Sequence, residues 1–360
     1  VRLRIPLSAV SLSNLERQYV LEALDAAMIS STGSHVGRFE DLIAKKVGVA
    51  HAVATASGTS ALELLLRAMN IGPGDEVVVP ALTFASPALA AVLVGAEPVF
   101  VDITAETWTL DIDDVRRVLT PKTRAIIAVD VLGHPCDYDA LASLGVPIIE
   151  DAAEALGAKY KGRLTGSFGV ASIFSFHANK VITCGEGGCI LTNDRALADR
   201  ARQLNAFGME VDRRYWHTQI GCNHRMANLV AAVGLGQLER WDSLVAGRSR
   251  VAAAYDHALR SLPLERRPVA DWATESVWLY TIASDRRDAV LSACAHDGVD
   301  ARALWPSLPE NPAFARFRRI CPYAQAVAKR AIWLPTWSDM PEESVQAVVE
   351  AVAKAFEKEN

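Results

Sequence analysis

The sequence predicts an α/β protein, with a mostly parallel sheet in a large α/β/α domain and a smaller α+β domain at the carboxyl end. Short apolar, β-branched runs alternate with helical stretches from His51 to Ala153. Those runs lack polar alternation, so each strand is buried on both faces and needs helices above and below a parallel sheet. Beyond about Leu197 the pattern turns helical and then mixed. At one to two hundred residues per domain, the 360 residues suggest about two domains, placed at 1–240 and 241–360.

Leu15 to Ser30 and Val36 to Val47 have helical spacing, the second stopped by Gly48. Strand and helix then alternate: HAVATA and SALELLLRAMN, EVVVPA and SPALAAVLVG, PVFVDI and DIDDVRRVL, RAIIAVDV and DYDALASLG, and finally VPIIEDAA. Met226 to Val251 reads as one long helical passage with a break expected at Gly234 and Gly236. After Leu262 come SVWLYTIAS and a terminal amphipathic helix, Pro341 to Phe356. In a doubly wound sheet the ligand sits beyond the carboxyl ends of the strands.

Hydrophobic residues at 51% and charged residues at 22% exclude disordered and low-complexity classes. A net charge of −5 without a basic block argues against a nucleic-acid partner. Val77 to Ala96 carries no charge, but Pro80, Pro87 and Gly95 interrupt it, so a strand followed by a helix is expected and no membrane span. The amino-terminal VRLRIPLSAV has no apolar core with a cleavage site and does not read as a secretory signal. Six cysteines without a CxxC pair fit neither a zinc site nor a disulfide framework, and point to a reduced, cytoplasmic protein.

Four strand-end features carry chemistry. Ser57-Gly58-Thr59-Ser60 joins a strand to a helix, where small residues and unpaired amides suit a phosphate; an ordinary capped turn has the same appearance. Asp151 ends the run VPIIED, and a carboxylate there needs a cation or a donor facing it, unless it caps a helix. Lys180 lies in SIFSFHANKVITCGEGG among apolar and small residues, where desolvation lowers an amine's pKa and frees it for a Schiff base. His177, three positions earlier, reads either as a proton relay or as hydrogen-bonded structure. Phe84, after EVVVPALT, could stack on a planar ring or sit in the core.

A phosphate loop, a stacking aromatic, a carboxylate and a Schiff-base lysine, in that chain order, match pyridoxal 5'-phosphate. Together with ISSTGSHVGRFED, ASGTSAL, GPGDEVVVPALTF, EDAAEALGA, FSFHANKVITCGEGG, RRYWHTQIGCNHRMANLVAAVGLGQLE and LPTW, they make the chain resemble the DegT/DnrJ/StrS sugar aminotransferases. That family has the fold-type I aspartate aminotransferase architecture, so the resemblance implies that residues 1–240 bind the cofactor. By it, Lys180 anchors the cofactor, Asp151 holds its pyridine nitrogen protonated, Phe84 stacks on the ring and Glu154 lies near the ring hydroxyl. Gly58, Thr59 and Ser175 would hold the phosphate, and Asn223 would reach the cofactor phosphate of a neighbouring subunit, which implies a homodimer with shared sites.

The resemblance further implies L-glutamate as amino donor and a nucleotide-linked 4-keto-6-deoxyhexose as acceptor, aminated at C4 by ping-pong turnover. A nucleotide-linked 3-keto sugar or an aminocyclitol precursor is the alternative acceptor. A regulatory protein that only binds the cofactor would need neither Lys180 nor Asp151. Two segments depart from the family pattern where substrate contacts are expected: Arg302–Leu308 has no His, and Leu204–Met209 lacks the basic residues usual before Gly-Met.

Overall fold

The computed structural model describes residues 4–210 and 212–357, so the first three residues of the amino-terminal segment lie outside it. The chain opens with α1 (Asn14–Asp25) and α2 (Ser34–Val47). Ser13 and Glu16 form a reciprocal cap on α1, and Gly48 ends α2 in the left-handed conformation, φ 84°. Then follow β1 (His51–Thr55), α3 (Gly58–Ala68), β2 (Glu76–Pro80), α4 (Ser86–Leu93), β3 (Glu97–Val101), α5 (Ile112–Val118), β4 (Thr123–Val129), α6 (Tyr138–Ala142) and β5 (Ile148–Asp151). These are the strand–helix pairs that the apolar runs predict, and the uncharged Val77–Ala96 stretch divides between β2 and α4. Among the described residues no helix is long and apolar enough to cross a membrane.

Next come the short β6 (Lys159–Tyr160) and β7 (Arg163–Leu164), then β8 (Ala171–Ser175), β9 (Gly188–Thr192) and α7 (Arg195–Asn205). The central sheet has seven strands in the order β1-β9-β8-β5-β4-β2-β3. All its pairings are parallel except those of β9, which runs against both β1 and β8. The carboxyl ends of β1, β2, β5 and β8 therefore share one edge. Val77–Val79 and Ile126–Ile127 are fully buried, each side chain contributing about 1.5–3 kcal/mol by its removal from water.

The passage from Met226 to Val251 departs from expectation. It forms α8 (Asn228–Glu239) and α9 (Trp241–Leu259), which meet at Arg240, and both glycines lie inside α8. They serve close packing: a Cβ at Gly234 would come 2.4 Å from Cys184 Sγ, and one at Gly236 2.7 Å from the Glu16 nitrogen. Trp241 and Leu244 of α9 join the core around Phe174 and Phe176, while Val251, Tyr255 and Leu259 join a second core.

That second core lies against a three-stranded sheet of β11 (Tyr280–Ala283), β13 (Ala331–Leu334) and β12 (Arg302–Ala303), in that order. The strand β10 (Ala273–Thr274) instead pairs with β6, stitching the two regions together. With α10 (Arg287–His296), α11 (Pro322–Arg330) and α12 (Glu342–Lys354), these elements make the smaller α+β part. The six cysteines are unpaired.

Candidate active site

A cavity of about 400 Å³ opens at the carboxyl edge of the central sheet, against the smaller part of the molecule. Gly58, Thr59, Phe84, Asp151, Glu154, Ser175 and Lys180 all line it. Asn223 does not: it is exposed, accepting a hydrogen bond from Arg225 at 3.2 Å on the stretch that runs beside β1.

At one end of the cavity α3 begins. Ser57 caps it, accepting from the Ser60 amide at 3.1 Å, so the Gly58 and Thr59 amides are left without intrahelical partners. Ser175, at the end of β8, packs so close that a Cβ on Gly58 would meet Ser175 Cβ at 2.9 Å. Free amides at a positive helix end, a serine and a glycine with no room for a side chain are an arrangement that can take an anion.

Asp151 ends β5 and is buried. One oxygen accepts from the Ala153 amide at 3.1 Å, and no helix follows, so it is not a helix cap. Burial raises its pKa to about 7, with the Ala153 hydrogen bond opposing. A cationic ring nitrogen facing this carboxyl would restore its charge. Phe84, at the end of β2, is 55% exposed and faces the cavity, which rules out the core reading.

Lys180 is reached from two sides. Its Nζ lies 3.8 Å from Glu154 Oε1 and 3.7 Å from the centre of the Trp278 ring. Burial lowers the pKa of Lys180 and raises that of Glu154, each partly offset by the other's charge. The amine is thus biased toward its neutral, nucleophilic form. Its backbone is clamped from α9: Arg248 donates to the carbonyls of Asn179 and Lys180, each at 3.0 Å, and to that of Trp278. The Trp278 indole N–H donates to the Asn179 carbonyl at 3.0 Å.

His177 lines the mouth, its Nε2 3.6 Å from Glu186 Oε1 and its Nδ1 3.1 Å from Asn179 Oδ1. Of the two departing segments, Arg302 and Trp305 from the first line the cavity, and Leu204–Met209 does not. Sequence reasoning missed Arg248, Trp278 and Trp333, while Trp305 lies in the segment where it expected substrate contacts. Arg248 alone carried a signal, as a charge on the apolar stripe Leu244, Val251, Tyr255.

The donor set, with a phosphate cradle, an exposed aromatic ring, a carboxyl short of a cation and a buried amine in one cavity, fits pyridoxal phosphate. Fold and site together define a cofactor-dependent transferase of amino groups. Comparison with known proteins gives the family: the DegT/DnrJ/EryC1/StrS aminotransferase profile matches residues 11–353, and the chain belongs to that family of pyridoxal-phosphate sugar aminotransferases. GDP-perosamine synthase of Caulobacter vibrioides is 40% identical over 361 residues, covering 97% of each chain. The GDP-perosamine synthase of Escherichia coli O157:H7 is 37% identical over 359 residues, 98% of each. Among solved structures, S. venezuelae DesV in complex with a ketimine intermediate superposes with a TM-score of 0.94 at 33% identity over the whole of both chains.

Proposed function

We propose that the protein transfers the amino group of L-glutamate to C4 of a nucleotide-linked 4-keto-6-deoxyhexose, as a GDP-perosamine synthase-like enzyme working in two half-reactions. The observation that carries this reading is Lys180 Nζ 3.8 Å from Glu154 Oε1 and 3.7 Å from the centre of the Trp278 ring, in a cavity that Gly58, Thr59 and Ser175 also line. The relatives at 37% and 40% identity support the choice of sugar.

Pyridoxal phosphate, when bound, supplies a carbonyl that exchanges amines and a ring that accepts the electron pair released at the neighbouring carbon. Gly58, Thr59 and Ser175 would fix its phosphate, Phe84 its ring face and Asp151 its ring nitrogen, and Lys180 Nζ would be the amine that anchors it and gives way to the amino donor. The freed Lys180 amine would take a proton from the donor's α-carbon and deliver it to the carbon on the other side of the nitrogen; with the keto sugar it would move a proton in the opposite sense. Glu154 faces the same amine and balances its charge. Trp278 covers it and keeps water out. Lys180 Nζ would be released in the first half-reaction and engaged again only at the end of the second, so donor and acceptor would use the site in turn.

The site would be completed by a second copy of the chain, with Asn223 of each subunit reaching the phosphate held by its neighbour. The experiment is an absorbance spectrum of the purified protein with pyridoxal phosphate, then addition of L-glutamate, then of nucleotide-linked 4-keto-6-deoxy and 3-keto sugars one at a time. Bleaching by glutamate and recovery by the GDP-linked sugar is the expected result. Recovery only by a 3-keto sugar would overturn the acceptor, and no bleaching would overturn the donor.

A further inference from the structure

Glu154, the acid beside Lys180, is governed from behind. Its Oε2 accepts the Leu132 amide at 2.8 Å, and the carbonyl of that same Leu132 accepts from Arg267 at 3.4 Å. One residue thus separates the cavity from a buried guanidinium that lies outside it. Leu132 adopts the left-handed conformation, φ 54° and ψ 27°, which is strained for a residue with a Cβ. Gly133 follows at φ 85°, where a Cβ would collide with the Ser276 carbonyl, and its own carbonyl accepts the Ser276 amide at 3.0 Å. The Leu132–Gly133 turn is therefore wedged between Glu154 and the segment that carries Arg267.

Arg267 is itself fixed. It pairs with Glu275 at 2.9 Å and donates to the Thr107 carbonyl at 3.3 Å. Burial lowers its pKa to about 10, so it stays cationic at neutral pH. The charged or titratable groups facing it are Glu275, Arg266, Glu154 and His134. His134 is neutral there: its Nε2 accepts the Ala270 amide at 3.1 Å, and burial followed by Arg267 lowers its pKa to about 4. Glu154 faces Lys180, Asp151 and Arg267. Once Lys180 is neutral, Arg267 is the remaining cation acting on Glu154 among the described residues.

We propose that Arg267 is a positioning residue for the reacting amine: through the backbone of Leu132 it holds Glu154 as a carboxylate beside Lys180, so that the charge facing the amine is set from outside the cavity. Arg267 touches no reacting atom. Its effect is exerted through Glu154, and it does not depend on which sugar the enzyme takes. The proposal does rest on the placement of Lys180 and Glu154 at the cofactor.

The test follows the visible absorbance of the pyridoxal-phosphate-loaded protein against pH in Arg267→Met, Arg267→Lys, Glu154→Gln and the Arg267→Met/Glu154→Gln pair. Without Arg267 the buried Glu154 takes up a proton and the cationic Schiff-base nitrogen loses its counter-charge. The midpoint in Arg267→Met is therefore expected to fall by about one pH unit, as in Glu154→Gln, with Arg267→Lys recovering at least half of the shift. In the Glu154→Gln background, losing Arg267 is expected to leave the midpoint unchanged or raise it, since only the direct repulsion of the guanidinium remains. An unchanged midpoint in Arg267→Met, or an equal fall in both backgrounds, overturns the proposal.

Should Arg267→Met not fold, Glu275→Gln loosens the same anchor, and a smaller fall in the same direction is expected; no shift there overturns the proposal equally. Lys180→Ala separates the two ideas. It must abolish the titrating band, and a band that survives refutes the cofactor-site assignment rather than the role of Arg267.

Discussion

Arg248→Met removes the guanidinium that ties α9 to the backbone of Lys180, while keeping much of the side chain's volume. Three carbonyls lose a charged donor: those of Trp278, Asn179 and Lys180. Asn179 keeps the Trp278 indole N–H, so two carbonyls are left exposed to the full penalty of an unpaired buried acceptor, about 1–3 kcal/mol each. Against this, the mutation ends the burial of a cation whose pKa burial lowers to about 9, which returns part of the loss. The expected net destabilisation is about 2–4 kcal/mol in urea unfolding of the cofactor-free protein. A released Lys180 also drifts from its place over Trp278, and a misplacement near 1 Å costs on the order of 100-fold in turnover. Stopped-flow rates of bleaching by L-glutamate read that step directly. Arg248→Lys, which restores one donor, should fall between. A methionine variant as stable and as fast as the parent would refute the clamp.

Gly58→Ala should weaken pyridoxal phosphate binding at least tenfold, about 1.4 kcal/mol by equilibrium titration, because the new Cβ meets Ser175 Cβ at 2.9 Å; unchanged affinity would remove the cradle. The folded pKa of Asp151, raised by burial to about 7, lies above its unfolded value near 3.8. Between those limits the folded protein binds more protons than the unfolded one. Stability of the cofactor-free protein should therefore fall as pH rises through that window, by up to ~1.4 kcal/mol per pH unit for this group. Asp151→Asn should remove that slope in pH-dependent melting while nearly abolishing turnover, since an amide does not hold the ring nitrogen protonated. Mixing Lys180→Ala with Asn223→Ala subunits should restore about a quarter of parental activity, because in a two-fold dimer each heterodimer regains one intact site; no gain over the parents refutes shared sites.

The strand-end residues were legible because each follows its own apolar run. Asp151 and Ser175 inherit their positions from β5 and β8, and Gly58 and Phe84 theirs from the turns after β1 and β2. Parallel pairing puts all four on one edge, whatever the loops do. Lys180 could be read from its local poverty of charge. The break at Arg240 could not, because whether Gly234 and Gly236 end a helix or allow packing depends on Cys184 and Glu16, which are distant in sequence. The same holds for much of the cavity wall, since Trp278 and Trp333 arrive from the far end of the chain.

By itself, then, the sequence determined the alternating α/β architecture, the order of the chemical groups along it and the cofactor they suit, because apolar periodicity and strand-end position are local properties. Only the tertiary structure decided which charges act on Lys180. Arg248 meets its carbonyl and Arg267 meets Leu132 across large sequence separations, and both stay buried because packing of the smaller α+β part against the sheet edge gives each guanidinium its acceptors. A buried charge survives only where distant segments supply its partners, and no local pattern records that supply.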